Sequence, residues 1–339
     1  PGSAGGDRFQ NLIRRSPDWS AMTAANPKLA RPMGRWARLA QRLWRSRVLY
    51  LLILPTALSL IIFYYGPLFS GLWHSFRYWD LKQDIFIGLE NYTRMFEETA
   101  ALAAWRNMGV ILLSQLVIVS TMPLLGALLV FRLTGGRMQY VWRIIFVLPI
   151  VVPGTVVVYV WRWFYGIDGG FNLLLRAIGL SSWTRIWLGE ISTALPAIIA
   201  VGFPWVAGLN FLIYLAALQA IPGEIIDASK VDGAGPIRRF FSVELPLVRP
   251  QMVLLIILTF IFYLRSFDAP LIMTNGGPGT AGTLVPGLQM YRAIRDDLDL
   301  GYGSAIGTIL FIVMILLTFL NFAVRARIAR NEQQRGRQS

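Results

Sequence analysis

Six stretches of the chain are apolar with almost no interruption: 48–69, 108–131, 144–165, 193–218, 252–274 and 303–324. Each reaches about twenty residues, enough to cross roughly 30 Å of hydrocarbon as a helix. The runs are continuous rather than alternating. That predicts helices and not barrel strands, because a helix pairs every backbone group within its own segment where lipid offers no partner. The predicted fold class is therefore all-α, a polytopic membrane protein with six transmembrane helices.

The runs are not uniform. Pro123 falls in the second, Pro149 and Pro153 in the third, Pro196 and Pro204 in the fourth. Proline removes a backbone donor and kinks a helix, so these spans are expected to bend around a cavity or a partner. Gly303 and Gly307 in the sixth present a small-residue face for another helix.

Composition agrees with the pattern, at 55% hydrophobic and 15% charged residues over 339. A formal charge of +14 would suit a nucleic-acid binder, but the basic residues flank apolar runs and no soluble domain is left to carry a binding face. The segments 1–47, 132–143, 219–250 and 325–339 hold 22 of the 32 Lys and Arg. By the positive-inside rule those segments, both termini included, are cytoplasmic. The chain has no cysteine, which removes disulfides, thiolate catalysis and cysteine-based metal sites. Around 34–47, Trp36, Leu39, Ala40 and Leu43 share one helical face, which reads either as a helix on the cytoplasmic leaflet or as a basic flank that orients the first span. On the other side, the connections 70–107, 166–192 and 275–302 carry Trp73, Tyr78, Trp79, Trp183 and Trp187, suited to an interfacial belt or a docking surface.

The most structured polar segment is cytoplasmic, EIIDASKVDGAGPIRRFFSVELP over 224–246. Pro222 suits a first helical turn, and Glu224 and Asp227 place negative charge near the positive end of the dipole. Asp232, Gly233, Ala234, Gly235 and Pro236 stop the helix, and a second stretch from Ile237 leads into the fifth span. The product is a compact knob joined to two spans. Two readings stand on physics alone, a mechanical handle for a partner and a folded loop without a task.

The segment resembles the cytoplasmic EAA loop of permease subunits in binding-protein-dependent ABC importers. Ile221, Pro222 and Glu224 match its beginning; Asp227, Ala228 and Ser229 stand where the family has Glu-Ala-Ala; Asp232, Gly233 and Ala234 match DGA; Leu245 and Pro246 match its end. The likeness extends over about 48–324. Phe86, Gly88, Leu89, Asn91 and Tyr92 resemble the F-x-GL-x-NY motif; Gly136, Arg137, Trp142, Arg143, Leu148 and Pro149 the GR-to-LP segment; Phe267, Asp268, Thr274, Gly276, Gly277 and Pro278 the FD-to-GGP segment. Four motifs in order point to the maltose and glycerol-3-phosphate type.

The resemblance implies a permease domain over 48–324 with its coupling loop at about 219–250, a cytoplasmic tail at 1–47 and a basic tail at 325–339, in a bacterial or archaeal cytoplasmic membrane. It implies partners: a homologous second permease subunit, two ATP-binding cassette subunits that carry ATP and Mg, and an extracytoplasmic solute-binding protein. The chain itself needs no cofactor and, with lipid around it, no nucleic acid. It lacks a G-x-x-x-x-G-K-[ST] phosphate loop, so ATP is handled elsewhere. The only histidine, His74, has no metal-ligand cluster and reads as an interfacial residue; Asp296, Asp297 and Asp299 read as a solvated face. A membrane-embedded glycosyltransferase, which needs an exposed carboxylate or metal cluster, and a secondary transporter, which needs buried coupling charges in several spans, are the alternatives.

For the solute path, charges inside apolar runs are the exceptions to explain. Arg265 and Asp268 are three apart, on one face of a fifth helix, and either pair with each other or line the path with Tyr263 and Phe267. Gly202, Trp205, Leu209 and Asn210 form a second patch, with Trp205 and Leu209 at i and i+4 as a stacking platform or as core packing.

Overall fold

The computed structural model describes residues 47–279 and 281–335. The expected amphipathic segment at 34–47 lies outside them apart from Arg47, as do residues 336–339 of the basic tail. Among the described residues, 47–67 form one compact unit and those from Leu68 onward another.

The described elements are helices with one short hairpin. Helix α1 (Arg47–Leu60) passes through a π-turn at Ile61–Tyr65 into α2 (Gly66–His74). Strands β1 (Arg77–Trp79) and β2 (Asp84–Phe86) pair antiparallel, Tyr78 opposite Ile85. Then come α3 (Glu90–Glu97), α4 (Thr99–Phe131), α5 (Gly136–Val147), α6 (Gly154–Phe164), α7 (Gly170–Ala177), α8 (Ile191–Ile199), α9 (Leu209–Gln219), α10 (Gly223–Val231), α11 (Pro236–Arg239), α12 (Leu245–Arg265), α13 (Asp268–Thr274), α14 (Pro286–Arg295) and α15 (Leu300–Arg335).

Four unbroken helical stretches are long and apolar enough to cross a membrane: Val48–His74, Thr99–Phe131, Pro236–Arg265 and Leu300–Phe319. Counting each sharply bent helix pair as one span brings the number to six. The spans expected at 144–165, 193–218 and 252–274 are not continuous. The first is broken between Val151 and Gly154 with a bend of 94°, the second is non-helical from Ala200 to Gly208, and the third stops at Arg265 and restarts at Asp268. Prolines and glycines explain the first two, since Pro149, Pro153 and Pro204 remove donors and Gly202 and Gly208 take positive φ.

Two cores form along α4. One gathers Ala101, Ala104, Met108 and Ile111 with Leu264, Leu288, Ala305 and Ile306; the other gathers Leu124, Ala127 and Leu128 with Phe211, Tyr214, Leu218, Val248 and Leu255. Pro123 cannot donate to the Val119 carbonyl one turn earlier, and the fully buried Tyr214 fills that vacancy, its hydroxyl donating to Val119 O at 3.1 Å. The small-residue face of α15 receives α14, because a Cβ at Gly303 or Gly307 would press on Ile294 or Met290.

The F-x-GL-x-NY motif is a clasp. Gly88 takes φ +63°, Asn91 is buried and donates to the carbonyls of Ser75 and Arg77 at 3.0 Å each, and the Tyr92 hydroxyl donates to Ser75 Oγ at 2.7 Å. In the hairpin turn the amides of Gln83 and Lys82 donate to Asp80 and hold its carboxyl below the usual carboxylate range. His74 stacks on Trp79 with ring centroids 3.9 Å apart. Asp299 is no solvated bystander: it binds Arg94 at 2.7 Å and caps the Tyr302 amide at 3.0 Å.

Tyr214→Phe should cost about 1–2 kcal/mol, since it orphans the buried Val119 carbonyl. Adding Pro123→Ala should return most of it by restoring an N–H to that carbonyl; thermal unfolding of the detergent-solubilised single and double variants reads the cycle.

Candidate functional site

The three breaks in the helices meet at one place. A cavity of about 770 Å³ is lined by Pro149, Ile150 and Val152 from the first, by Val201, Gly202, Trp205, Ala207 and Gly208 from the second, and by Ser266 from the third. The wall also includes Gln115 and Met108 of α4, Thr155 and Val158 of α6, Leu209 and Asn210 of α9, Tyr263 of α12 and Asp268 of α13. A second cavity of about 700 Å³ shares Leu209, Asn210, Tyr263, Ser266 and Asp268 and adds Arg265.

Backbone groups freed by the second break are re-paired by the protein. Gln115 Nε2 donates to Ile199 O at 3.2 Å, the Trp205 indole donates to Val201 O at 2.9 Å, and the Gly208 amide donates to Phe146 O at 2.8 Å. Gly208 has φ +95° and Trp205, unusually for a bulky residue, +57°; such strain costs on the order of 1–3 kcal/mol and gathers at working sites. On these walls the side chains of Thr155, Asn210, Thr259, Tyr263, Arg265, Ser266 and Asp268 have no hydrogen-bond partner among the described residues.

Of the residues expected on the path, Gly202, Trp205, Leu209, Asn210, Tyr263 and Asp268 line the first cavity and Arg265 the second. Three details are corrected. Phe267 lines neither cavity: it packs on Gly287 and on the Tyr291 ring, 5.4 Å between centroids. Trp205 and Leu209 do not share a helical face, because Trp205 lies in the non-helical segment and α9 starts at Leu209. Arg265 and Asp268 form no ion pair, because Ser266 at ψ 131° breaks the helix between them. Gln115, Thr155 and Ser266 went unpredicted; a lone amide in an apolar run was the available signal for Gln115.

At the far end of Pro236–Arg265 stands the knob. Pro222 is the residue before the first turn of α10 rather than in it. The helix ends on a Schellman turn: Gly233 takes φ +73°, its amide donates to Lys230 O, and the Ala234 amide donates to Ser229 O, both at 3.0 Å. Ser229, the departure from Ala, is buried with its hydroxyl donating to Ile226 O at 2.6 Å. Asp227 pairs with Lys230 on the same exposed face at 2.8 Å, and Glu224, Ala228 and Asp232 are exposed. Val231 and Ile237 flank the turn at 88% and 76% exposure.

What fixes the knob is Glu244. It is fully buried in a π-turn at Phe240–Glu244, one oxygen accepting from Arg132 at 2.7 Å and the other from Arg239 at 2.9 Å. Arg132, at the end of α4, also donates to Pro236 O at 3.0 Å. The carboxylate thus ties α4 and α11 to the start of the long helix. A single Glu in a charged hairpin gives no sign of this in the sequence.

Residues 122–330 match the family described as binding-protein-dependent transport system inner membrane component. The chain belongs to that family. It is 30% identical over 283 residues to the probable ABC transporter permease protein YurN of Bacillus subtilis (strain 168), covering 81% of this chain and 95% of that protein. It is 33% identical over 305 residues to the sulfoquinovosyl glycerol transport system permease protein SmoG of Agrobacterium fabrum (strain C58), 88% and 94% of the two chains. A solved bacterial ABC transporter involved in import of the acidic polysaccharide alginate contains a chain with the same fold, TM-score 0.76 at 23% identity, covering 86% of this chain and 99% of that one. This chain is therefore a multi-pass inner-membrane permease subunit of a binding-protein-dependent ABC importer. The glycosyltransferase and secondary-transporter alternatives fall with the family membership.

Glu244→Ala should destabilise by about 3 kcal/mol, at the low end for a broken buried pair because Arg132 keeps some solvent. Adding Arg132→Ala should cost much less than the sum of the two single changes; thermal unfolding of the four proteins measures the coupling.

Proposed function

We propose that this chain forms half of a pathway for a sugar or sugar-like solute, and that two ATP-binding cassette subunits drive it by moving the knob at Glu224–Ala234. Both termini and the knob face the cytoplasm, ATP and Mg are held by the motor subunits, and the binding protein delivers the solute on the other side. The observation that carries this reading is the helix Pro236–Arg265, with the knob anchored at one end by Glu244 and the cavity at the other. At 1.5 Å per residue it spans about 45 Å, so a displaced knob moves the cavity wall.

Support for the solute class comes from the walls. Unpartnered Asn210, Tyr263, Ser266 and Asp268 offer hydrogen bonds beside the faces of Trp205 and Phe262, the mixture a hydroxylated ring requires. The relatives named above carry sulfoquinovosyl glycerol and alginate, both polyhydroxylated. The exposed Val231 and Ile237 suit a knob that inserts into a partner's cleft.

Gly233→Val forces a β-branched residue into the left-handed turn at a cost of about 1–2 kcal/mol, and should reduce solute uptake and nucleotide-dependent stimulation by roughly ten-fold or more. Uptake, ATPase stimulation and co-purification all at wild-type levels would contradict the coupling role. Because the chain has no cysteine, Asp232→Cys reports orientation: a membrane-impermeant maleimide should label it in inside-out vesicles and not in right-side-out ones.

A further inference from the structure

Arg265 is the residue the fold leaves most conspicuously unused. It ends α12, and Asp268 opens α13 three residues later. Each charge sits where its own helix dipole favours it, the cation at a C-terminus and the carboxylate at an N-terminus, which removes the need for them to pair. They do not pair. Among the described residues Arg265 makes no ion pair and no side-chain hydrogen bond, and its side chain is exposed to the second cavity.

A bare guanidinium at the end of an apolar span is costly, and such residues mark places where something charged binds. The cavity around it is shaped for one kind of visitor. Arg265 offers five N–H donors in a planar fork, the match for two oxygens of a carboxylate, sulfonate or phosphate. Asp268, an acceptor only, suits hydroxyl groups and repels a second anion. Asn210 and Ser266 donate and accept, and Leu258, Ile261 and Phe262 supply apolar wall.

We propose that Arg265 is the anion-recognising residue of the pathway and that the solute is a hydroxylated acid: a saccharide or polyol bearing one carboxylate, sulfonate or phosphate on Arg265, with its hydroxyls on Asn210 and Asp268. This rests on the pathway reading above. It assigns a charge to the solute, which that reading leaves open, and gives each end of the cavity a separate task.

The test uses the assembled transporter in nanodiscs without nucleotide, titrated separately with glucuronate, glucose 6-phosphate and glucose. Emission of Trp205 in the adjoining cavity, isolated by subtracting the Trp205→Phe complex, reports occupancy. Glucuronate or glucose 6-phosphate should bind about ten-fold or more tighter than glucose, the worth of one charge-assisted contact. Arg265→Gln should erase that preference, Arg265→Lys should retain part of it, and Asp268→Asn should weaken all three sugars alike. Glucose binding as tightly as the acids, a preference that survives Arg265→Gln, or no saturable signal from any of the three would each overturn the proposal. A partner subunit's acid seated on Arg265 would give the first of these results. Since occupancy is read without ATP, a complex that couples ATP hydrolysis to uptake but shows no acid preference refutes the anion site alone. One that prefers acids but carries nothing refutes the pathway reading.

Discussion

Hydrocarbon supplies no hydrogen-bond partner, so a backbone inside the membrane must be paired by the protein or must face a water-filled space. The rest of this structure follows from that constraint. Where a helix carries proline deep inside a core, a side chain repairs the loss, as Tyr214 does for Val119 opposite Pro123. Where helices stop altogether, at 152–153, 200–208 and 266–267, all three interruptions border one cavity. Gln115 and Trp205 pair some of the freed carbonyls there, and the remaining polar groups face the opening.

The second constraint is electrostatic. A fully buried carboxylate is tolerated only when paired, and Glu244 has an arginine on each oxygen. Its worth lies less in net stability than in geometry, since removing either partner leaves an uncompensated charge and therefore penalises any movement of α4, α11 and α12 apart. A knob mounted this way cannot swivel freely on its loop. In the coupling proposed above, displacement at Gly233 is passed to the start of Pro236–Arg265 and from there to Tyr263 and Arg265.

Much of this was legible in the chain. Continuous apolar runs gave the class, the prolines gave the existence of breaks, and Asp232, Gly233 and Ala234 gave the helix stop that the Schellman turn realises. The failures share a cause: hydropathy averages over a window and does not register where a helix ends inside it. So the spacing of Trp205 and Leu209 suggests one helical face although Gly208 separates them, and that of Arg265 and Asp268 suggests another although the extended Ser266 breaks it. Phe267 looked like a path residue beside them, but the same break turns it toward Tyr291. Glu244 and Asp299 were invisible for another reason. A carboxylate whose partner is far away in sequence, Arg132 for one and Arg94 for the other, looks like any surface acid until the chain is folded.

Rigid connection between knob and cavity is the central claim, and the cysteine-free chain allows it to be measured by paired spin labels in the assembled transporter. Labels at Asp232→Cys and Ser266→Cys report the length of the lever; labels at Ser266→Cys and Thr155→Cys report the cavity. On trapping the nucleotide-bound state, the first distance should stay constant while the second changes. A lever that changes length while the cavity distance stays fixed would contradict the account.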